Sequence, residues 1–243
     1  MSDEIETSEG GSRIFRHQPR KHGFEVAIGD SNTIEAVAKH IERHIGAPGM
    51  VWHELVSDLV HVDVHTVAPR PDRNYCTLIT SGMSDRPMTP PPELPERQFA
   101  ELVLALPPNW PMTQEDFKNE TNYWPIRWLK ILARLPHEYD TWLDCGHTIP
   151  NGDPPQPFAD GTKMCGVILA PPTLFGENFA ELALPGDKTI RFHAVLPLYA
   201  EEMDFKLKQG ADALFGRLDR QHVTELLDPR RVNVCKKRIF GLF

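Results

Sequence analysis

The segment 51–67, VWHELVSDLVHVDVHTV, contains the residues best suited to chemistry. His61, Asp63 and His65 alternate with valines, and alternate residues of a β-strand point to the same face of a sheet. Two imidazoles and one carboxylate form an acceptable ligand set for zinc or non-haem iron. Such side chains lie about 6.5 to 7 Å apart, so a further ligand must come from elsewhere, and His53 is the nearby candidate. The alternative is a polar sheet face that is exposed to solvent.

A second group, Asp144, Cys145 and His147, lies within four positions of the predicted extended segment 141–149. A cysteine and a histidine can act as nucleophile and base, but these two are only two positions apart and no oxyanion-hole motif accompanies them. The sequence also has no glycine-rich phosphate loop and no GxSxG elbow. These observations favour a protein that is not an enzyme.

His40 and His44 are four residues apart in a predicted amphipathic helix that starts near Thr33. This spacing occurs in metalloprotease helices, but the glutamate of the HExxH motif is missing. We therefore expect the two histidines to lie on a solvated helix face. Asn32 and Glu35 have the spacing of a capping box, which predicts that Asn32 caps this helix.

Apolar runs and two-residue alternation predict the elements that must position these residues. The predicted strands are 51–56, 59–67, 75–81, 99–106, 163–170 and 188–199, with the first two joined in a tight hairpin at Ser57-Asp58. Further helices are predicted from Thr113, from Pro125 to just before Pro136, on both sides of a break at Gly210, and over 221–227. The basic segment 230–238 is predicted to be a solvated terminus, with an edge strand as the alternative.

Hairpins and grouped helices predict an α+β fold with a mixed, largely antiparallel sheet covered by helices. Residues 1–20 are predicted to form a flexible tail, because the acidic, polar start and Gly10-Gly11-Ser12 offer little apolar surface to bury. Residues 21–243 are predicted to form a single domain.

Net charge, apolar runs and cysteine spacing limit the partners and the location that we expect for this protein. The net charge of -8 over 243 residues argues against nucleic acid as a partner, since affinity for phosphates rests on clustered Lys and Arg. We expect no membrane segment, because no run of about eighteen apolar residues occurs. The acidic start, with no basic stretch before an apolar region, also predicts a cytoplasmic protein. The four cysteines show no CxxC spacing, which predicts reduced thiols.

Four stretches, taken in order, resemble the suppressor of fused domain family as it occurs in bacteria. They are VWHELVSDLVHVDVH, RNYCTLITSGMSDRPM, AELVLALPPNW and LPLYAEEMDFKLKQGADAL. The resemblance runs from about residue 33 to near Pro229. It implies the fold of the N-terminal domain of the animal proteins and implies that their second domain has no counterpart here.

The resemblance also implies a function. Animal members capture a short transcription-factor peptide as an added strand, and the positions that match their tyrosine and aspartate at this site are Leu135 and His147 here. Bacterial members include proteins thought to be immunity proteins against toxins. We therefore predict a non-enzymatic protein-binding module without a cofactor, whose partner is a protein or peptide, either a toxin or a regulator. The alternative is a metal-dependent enzyme that uses His61, Asp63 and His65.

Overall fold

The structure is a computed structural model that describes residues 6–18, 20, 23–54 and 56–236. The strands are β1 (Val51–Trp52), β2 (Asp63–Val67), β3 (Cys76–Ser81), β4 (Phe99–Leu106), β5 (Thr148–Pro150), β6 (Met164–Ala170), β7 (Glu181–Leu184) and β8 (Lys188–Tyr199). The helices are α1 (Ser31–His44), α2 (Glu120–Glu138), α3 (Ala200–Gln209) and α4 (Ala211–Arg220).

One sheet organises the chain, with its strands in the order β1-β2-β3-β4-β8-β6-β5 and β7 paired to β8. Only the β4–β8 pair is parallel among the strand pairs of the described residues. The predicted α+β class with a mixed, largely antiparallel sheet is therefore confirmed. β1 and β5 end this order, and β7 is a further edge strand because it pairs only with β8 among the described strands; edge strands offer unpaired backbone groups to other chains.

Helices cover both faces of the sheet, which gives three layers. On one face α2 packs with Val64, Leu78 and Leu104 in an apolar cluster. On the other face α1, α3 and α4 pack against a second cluster that contains Val67 and Ile79. Adjacent residues of one strand enter opposite cores, so the central strands are buried on both sides.

The predicted tight hairpin at Ser57-Asp58 is wrong. Val51 pairs with His65 and Trp52 with Val64, so the described residues between them, 53–54 and 56–62, form a long irregular connection, called here the connection 53–62. Its polar groups bond to other parts of the chain. The backbone N–H of Glu25 donates to the Asp58 carboxylate, and that of Leu59 donates to the Glu25 carbonyl. These contacts replace the ladder that a hairpin would need.

Two helix boundaries also differ from the prediction. Asp30 caps α1, because its side chain accepts from the N–H of Asn32, so Asn32 is not the cap. Pro125 lies inside α2 rather than at a helix start, and α2 continues through Pro136 to Glu138. His40 is buried and stacks on Phe192, which contradicts the predicted solvated face.

The C-terminal part of the domain is irregular where a helix was predicted over 221–227. Leu226 instead bridges Ala105 of β4 in parallel, and the Leu227 N–H donates to the Ala105 carbonyl. Arg231 is held in the fold, so its part of the predicted solvated terminus is wrong, while residues 237–238 lie outside the described ranges. No helix within those ranges is long and apolar enough to cross a membrane.

Candidate functional site

Three side chains, His53, His61 and Asp63, meet near the β1 edge of the sheet and are called here the His61 cluster. One donor atom of each lies within 4.8 Å of the other two. His53 Nδ1 is 2.9 Å from Asp63 Oδ2, and His61 Nε2 is 3.2 Å from Asp63 Oδ1. Asp63 is only 4% exposed, whereas the His53 side chain is 65% exposed, so the cluster opens to solvent on one side.

A chain of polar contacts holds the His61 ring from behind. The Ser57 hydroxyl lies 2.7 Å from His61 Nδ1 and donates to Glu54 Oε2 at 2.9 Å. Arg134 of α2 donates to both oxygens of Glu54 at 2.6 Å. The position of the ring therefore depends on a contact between α2 and the 53–62 connection.

His65 does not join the His61 cluster, although it shares a strand face with Asp63. Its Nε2 pairs with the Ser81 hydroxyl at 2.8 Å, and burial lowers the pKa of its imidazole. Asp63 and His65 are both 4% exposed, so the expectation of a polar sheet face exposed to solvent is wrong. The segment before α1 covers this region, and Gly29 lies against the His61 ring.

The second candidate region lies near the opposite edge of the sheet and is called here the His147 surface: Tyr139, Trp142, His147 and β5. The Trp142 ring meets the His147 ring edge-on, with centroids 4.6 Å apart. Backbone bonds between Leu169 and the residues Gly146 and His147 fix the start of β5 against β6. Burial lowers the pKa of His147, which favours a neutral imidazole at pH 7.

A segment of the chain itself, residues 13–18, lies over the His147 surface. The centroid of the Phe15 ring is 6.3 Å from that of the His147 ring, and the His17 ring stacks on the Tyr139 ring with centroids 5.0 Å apart. Upstream, the Gly10 N–H donates to the Leu207 carbonyl at 2.7 Å, which anchors the segment to the end of α3. Residues 6–18 thus make specific contacts, while the predicted domain boundary at residue 20 stays a prediction.

Beneath the His147 surface, Asp144 organises a buried polar group. Its Oδ1 accepts from the Cys145 N–H at 2.8 Å and lies 3.5 Å from both Arg97 Nη1 and His193 Nε2. Burial lowers the pKa of His193 to about 4, against the opposing pull of the Asp144 charge. Asp144 thus serves as a positioning group for the turn that presents His147.

The geometry does not activate Cys145 as a nucleophile. Burial of the thiol, aided by the nearby Asp144 charge, raises its pKa to about 11, although the residue as a whole is exposed. A nucleophilic cysteine needs a lowered pKa. His147 faces Trp142 and Phe15 rather than a thiolate.

Leu135, the other position that the resemblance assigned to partner binding, has a different environment. It is half-buried in α2 and packs against the apolar cluster on that face of the sheet. Its carbonyl accepts from the Tyr139 N–H at 3.1 Å, so it supports the helix end that carries Tyr139. A direct role for Leu135 in binding stays a prediction.

Sequence reasoning missed Glu54 and Ser57 behind His61 and missed the segment over His147. Polar residues at 54 and 57 looked like ordinary strand and turn residues. Phe15 was the available signal, since an aromatic residue within a polar tail needs an apolar partner.

Comparisons with known proteins identify the fold. A sequence model described as "Suppressor of fused protein (SUFU)" matches residues 58–232. A solved suppressor of fused homolog from Neisseria gonorrhoeae is 15% identical, with a TM-score of 0.64 over 86% of this chain and 100% of that one. No curated protein sequence matches the chain.

Two further solved structures share the fold. A chain of a Sufu-Fu complex is 16% identical, with a TM-score of 0.59 over 83% of this chain and 92% of that one. Drosophila Suppressor of Fused is 15% identical, with a TM-score of 0.56 over 83% of this chain. The match covers 51% of the Drosophila chain, so the present chain corresponds to about half of that protein.

Proposed function

Because the chain belongs to the suppressor of fused family, we propose that it is a non-catalytic protein-binding module. Its partner contributes an extended segment that binds at the His147 surface. One of the structurally similar proteins was solved as a Sufu-Fu complex, which supports protein binding as a use of this fold. The proposal assigns no chemical step to the chain.

The observation that carries the proposal is the segment 13–18 on the His147 surface. Phe15 is 49% exposed, so its ring rests on the surface and is not part of the core. Its contacts with His147, and those of His17 with Tyr139, are ring contacts that another aromatic side chain can replace. A surface that holds a segment of its own chain can hold a similar segment of another.

The edge strand β5 adds backbone specificity. In an antiparallel pair, alternate residues direct their N–H and C=O groups away from the partner strand. The Leu169 N–H bonds to the His147 carbonyl and Ile149 is in register with Val167, so Thr148 is the residue whose backbone groups face outward. A partner segment that adds at this edge would pair with Thr148, while side chains contact His147 and Trp142.

The net charge of the chain favours a basic protein as its partner. With a net charge of -8, the chain attracts a basic partner and speeds its capture at low ionic strength. A basic toxin neutralised by an immunity protein fits this description, and so does a basic regulatory protein bound by an adaptor. A cytoplasmic location and the absence of nucleic acid among the partners stay predictions.

Affinity capture from the lysate of the native organism tests the proposal. Tagged wild-type chain is expected to retain one dominant protein, and His147→Ala is expected to retain less of it. Val56→Ser is the matched control, because Val56 is 74% exposed and follows β1, at the opposite edge of the sheet. Retention of no protein, or equal retention by His147→Ala and wild type, would reject the proposed surface.

A further inference from the structure

We propose that the His61 cluster is a binding site for a divalent transition metal of the zinc class, with His53, His61 and Asp63 as its ligands. Imidazole nitrogen and carboxylate oxygen are the ligands that zinc accepts together. The cluster lies near the β1 edge, remote in the sheet order from β5 and the His147 surface. The inference is thus independent of the proposed protein-binding function.

The hydrogen-bond network assigns the protons of His61. A hydroxyl has one proton, and that of Ser57 goes to Glu54, so Ser57 must accept from His61 Nδ1–H. In a neutral ring Nε2 then carries a lone pair, and this atom lies 3.2 Å from Asp63 Oδ1. A cation shared by these two atoms would remove the repulsion between their lone pairs, and a metal ion can be that cation.

Asp63 supplies an independent observation that points to a ligand. The residue is 96% buried, and its Oδ1 has no hydrogen-bond partner among the described residues. A buried carboxylate oxygen without a partner is costly, so it indicates that something else is bound there. This oxygen lies 3.2 Å from His61 Nε2, the ring nitrogen without a proton in the neutral ring.

The distances suit zinc. Two ligands about 2.0–2.1 Å from a tetrahedral Zn²⁺ are about 3.3 Å apart, close to the 3.2 Å between His61 Nε2 and Asp63 Oδ1. His53 Nδ1, 2.9 Å from Asp63 Oδ2, belongs to an exposed side chain that can adjust. Solvent reaches the cluster at His53, which leaves the remaining coordination position to water.

The groups behind the cluster match the outer shell of metal sites. Metal-bound histidines usually donate their second ring N–H to an oxygen, which fixes their orientation. Here Ser57, Glu54 and Arg134 do this for His61. A bound ion would fasten the irregular connection 53–62 to β2, because His53 and His61 lie in the connection and Asp63 begins the strand.

Calorimetric titration of the tag-free, chelator-treated full chain with Zn²⁺ alone tests the inference. We expect one Zn²⁺ per chain and a rise in the thermal midpoint of unfolding on binding. Ca²⁺ and Mg²⁺ should bind far more weakly, since they prefer all-oxygen ligands. The Co²⁺-loaded chain should show visible absorption typical of tetrahedral nitrogen and oxygen ligands.

Variants distinguish this site from adventitious binding. His53→Ala changes an exposed side chain and should fold normally, and both it and His61→Ala should weaken Zn²⁺ binding at least about tenfold. His222→Asn is the matched control, because it removes an exposed imidazole elsewhere while asparagine tolerates the positive φ of 53°. Absence of saturable binding, or a smaller loss in either ligand variant, would overturn the inference.

Discussion

Buried charged residues join separate elements of the fold, and Glu202 with Arg231 is the clearest case. The Glu202 side chain is fully buried, and Arg231 donates to both of its oxygens at 2.6 Å. Glu202 also accepts from the N–H groups of Tyr199 and Val234, so one carboxylate joins α3, β8 and the C-terminal segment. The sequence alone indicated only a basic tail.

We predict that Arg231→Met lowers the free energy of unfolding by about 3–5 kcal/mol, because it leaves a buried carboxylate without its counter-charge. Urea denaturation measures the effect. Arg230→Met is the matched control, since Arg230 is exposed and, among the described residues, only its backbone N–H is bonded, to Asp228. Equal losses in the two variants would contradict this account of Glu202.

Glu101 is a buried acid whose charge state depends on pH. It accepts from the hydroxyls of Thr80 and Ser84 at 2.6 Å, yet burial raises its pKa from 4.5 to about 7. Since the native pKa lies above the unfolded one, the folded chain binds the proton more tightly. The contribution to stability is therefore complete below about pH 4.5 and is lost as pH rises to about 7.

Glu101→Gln should remove this dependence. The variant should gain stability relative to wild type as pH rises from 4.5 to 7, by up to about 3 kcal/mol. Denaturation at several pH values measures the difference between the two proteins, in which other titrating groups cancel. The difference in stability between Glu93→Gln and wild type should not change with pH, because the Glu93 side chain is exposed. A flat difference for Glu101→Gln would mean that this carboxyl has an ordinary pKa.

At the scale of elements, long apolar runs were predictable and polar connections were not. The strands over 99–106 and 188–199 have the predicted bounds, because most of their residues are apolar and the sheet buries most of both faces. The connection 53–62 escaped prediction, since partners distant in sequence, such as Arg134, bind its polar groups. His53 was recognised as a candidate ligand because it is near His61 in sequence. The hydrogen bond between His65 and Ser81 was not predicted.

Gly82 shows how closely two elements approach behind the His61 cluster. Its φ is 101°, and a Cβ there would lie 1.8 Å from the His61 carbonyl oxygen. We predict that Gly82→Ala destabilises the fold by about 3 kcal/mol or more, through both strain and overpacking. Gly176→Ala, with φ 79° and open space around it, should lose only about 1 kcal/mol. Thermal and urea unfolding compare the two, and similar losses would show that the contact with His61 is unimportant.

At the scale of the whole molecule, the fold could be predicted from the sequence, but the packing of residues 13–18 over the His147 surface could not. Alternating strands and grouped helices indicated an α+β domain, and the family resemblance agreed. The N-terminal residues looked too polar to pack, because their few apolar side chains have partners only in the folded chain. Phe15 and His17 reach His147 and Tyr139, which are more than a hundred residues away in sequence.

The His147 surface is proposed to bind an extended segment of a partner, and residues 6–18 of the chain itself provide a probe of this binding. A chain that lacks residues 1–18 is titrated with a labelled peptide of residues 6–18, ETSEGGSRIFRHQ, and fluorescence anisotropy is measured. The account predicts saturable 1:1 binding that weakens at least about fivefold with a Phe15→Ala peptide or with His147→Ala in the chain, since each change removes a ring contact. If the truncated chain is folded and the peptide does not bind, or binds equally well after either change, the claim is contradicted.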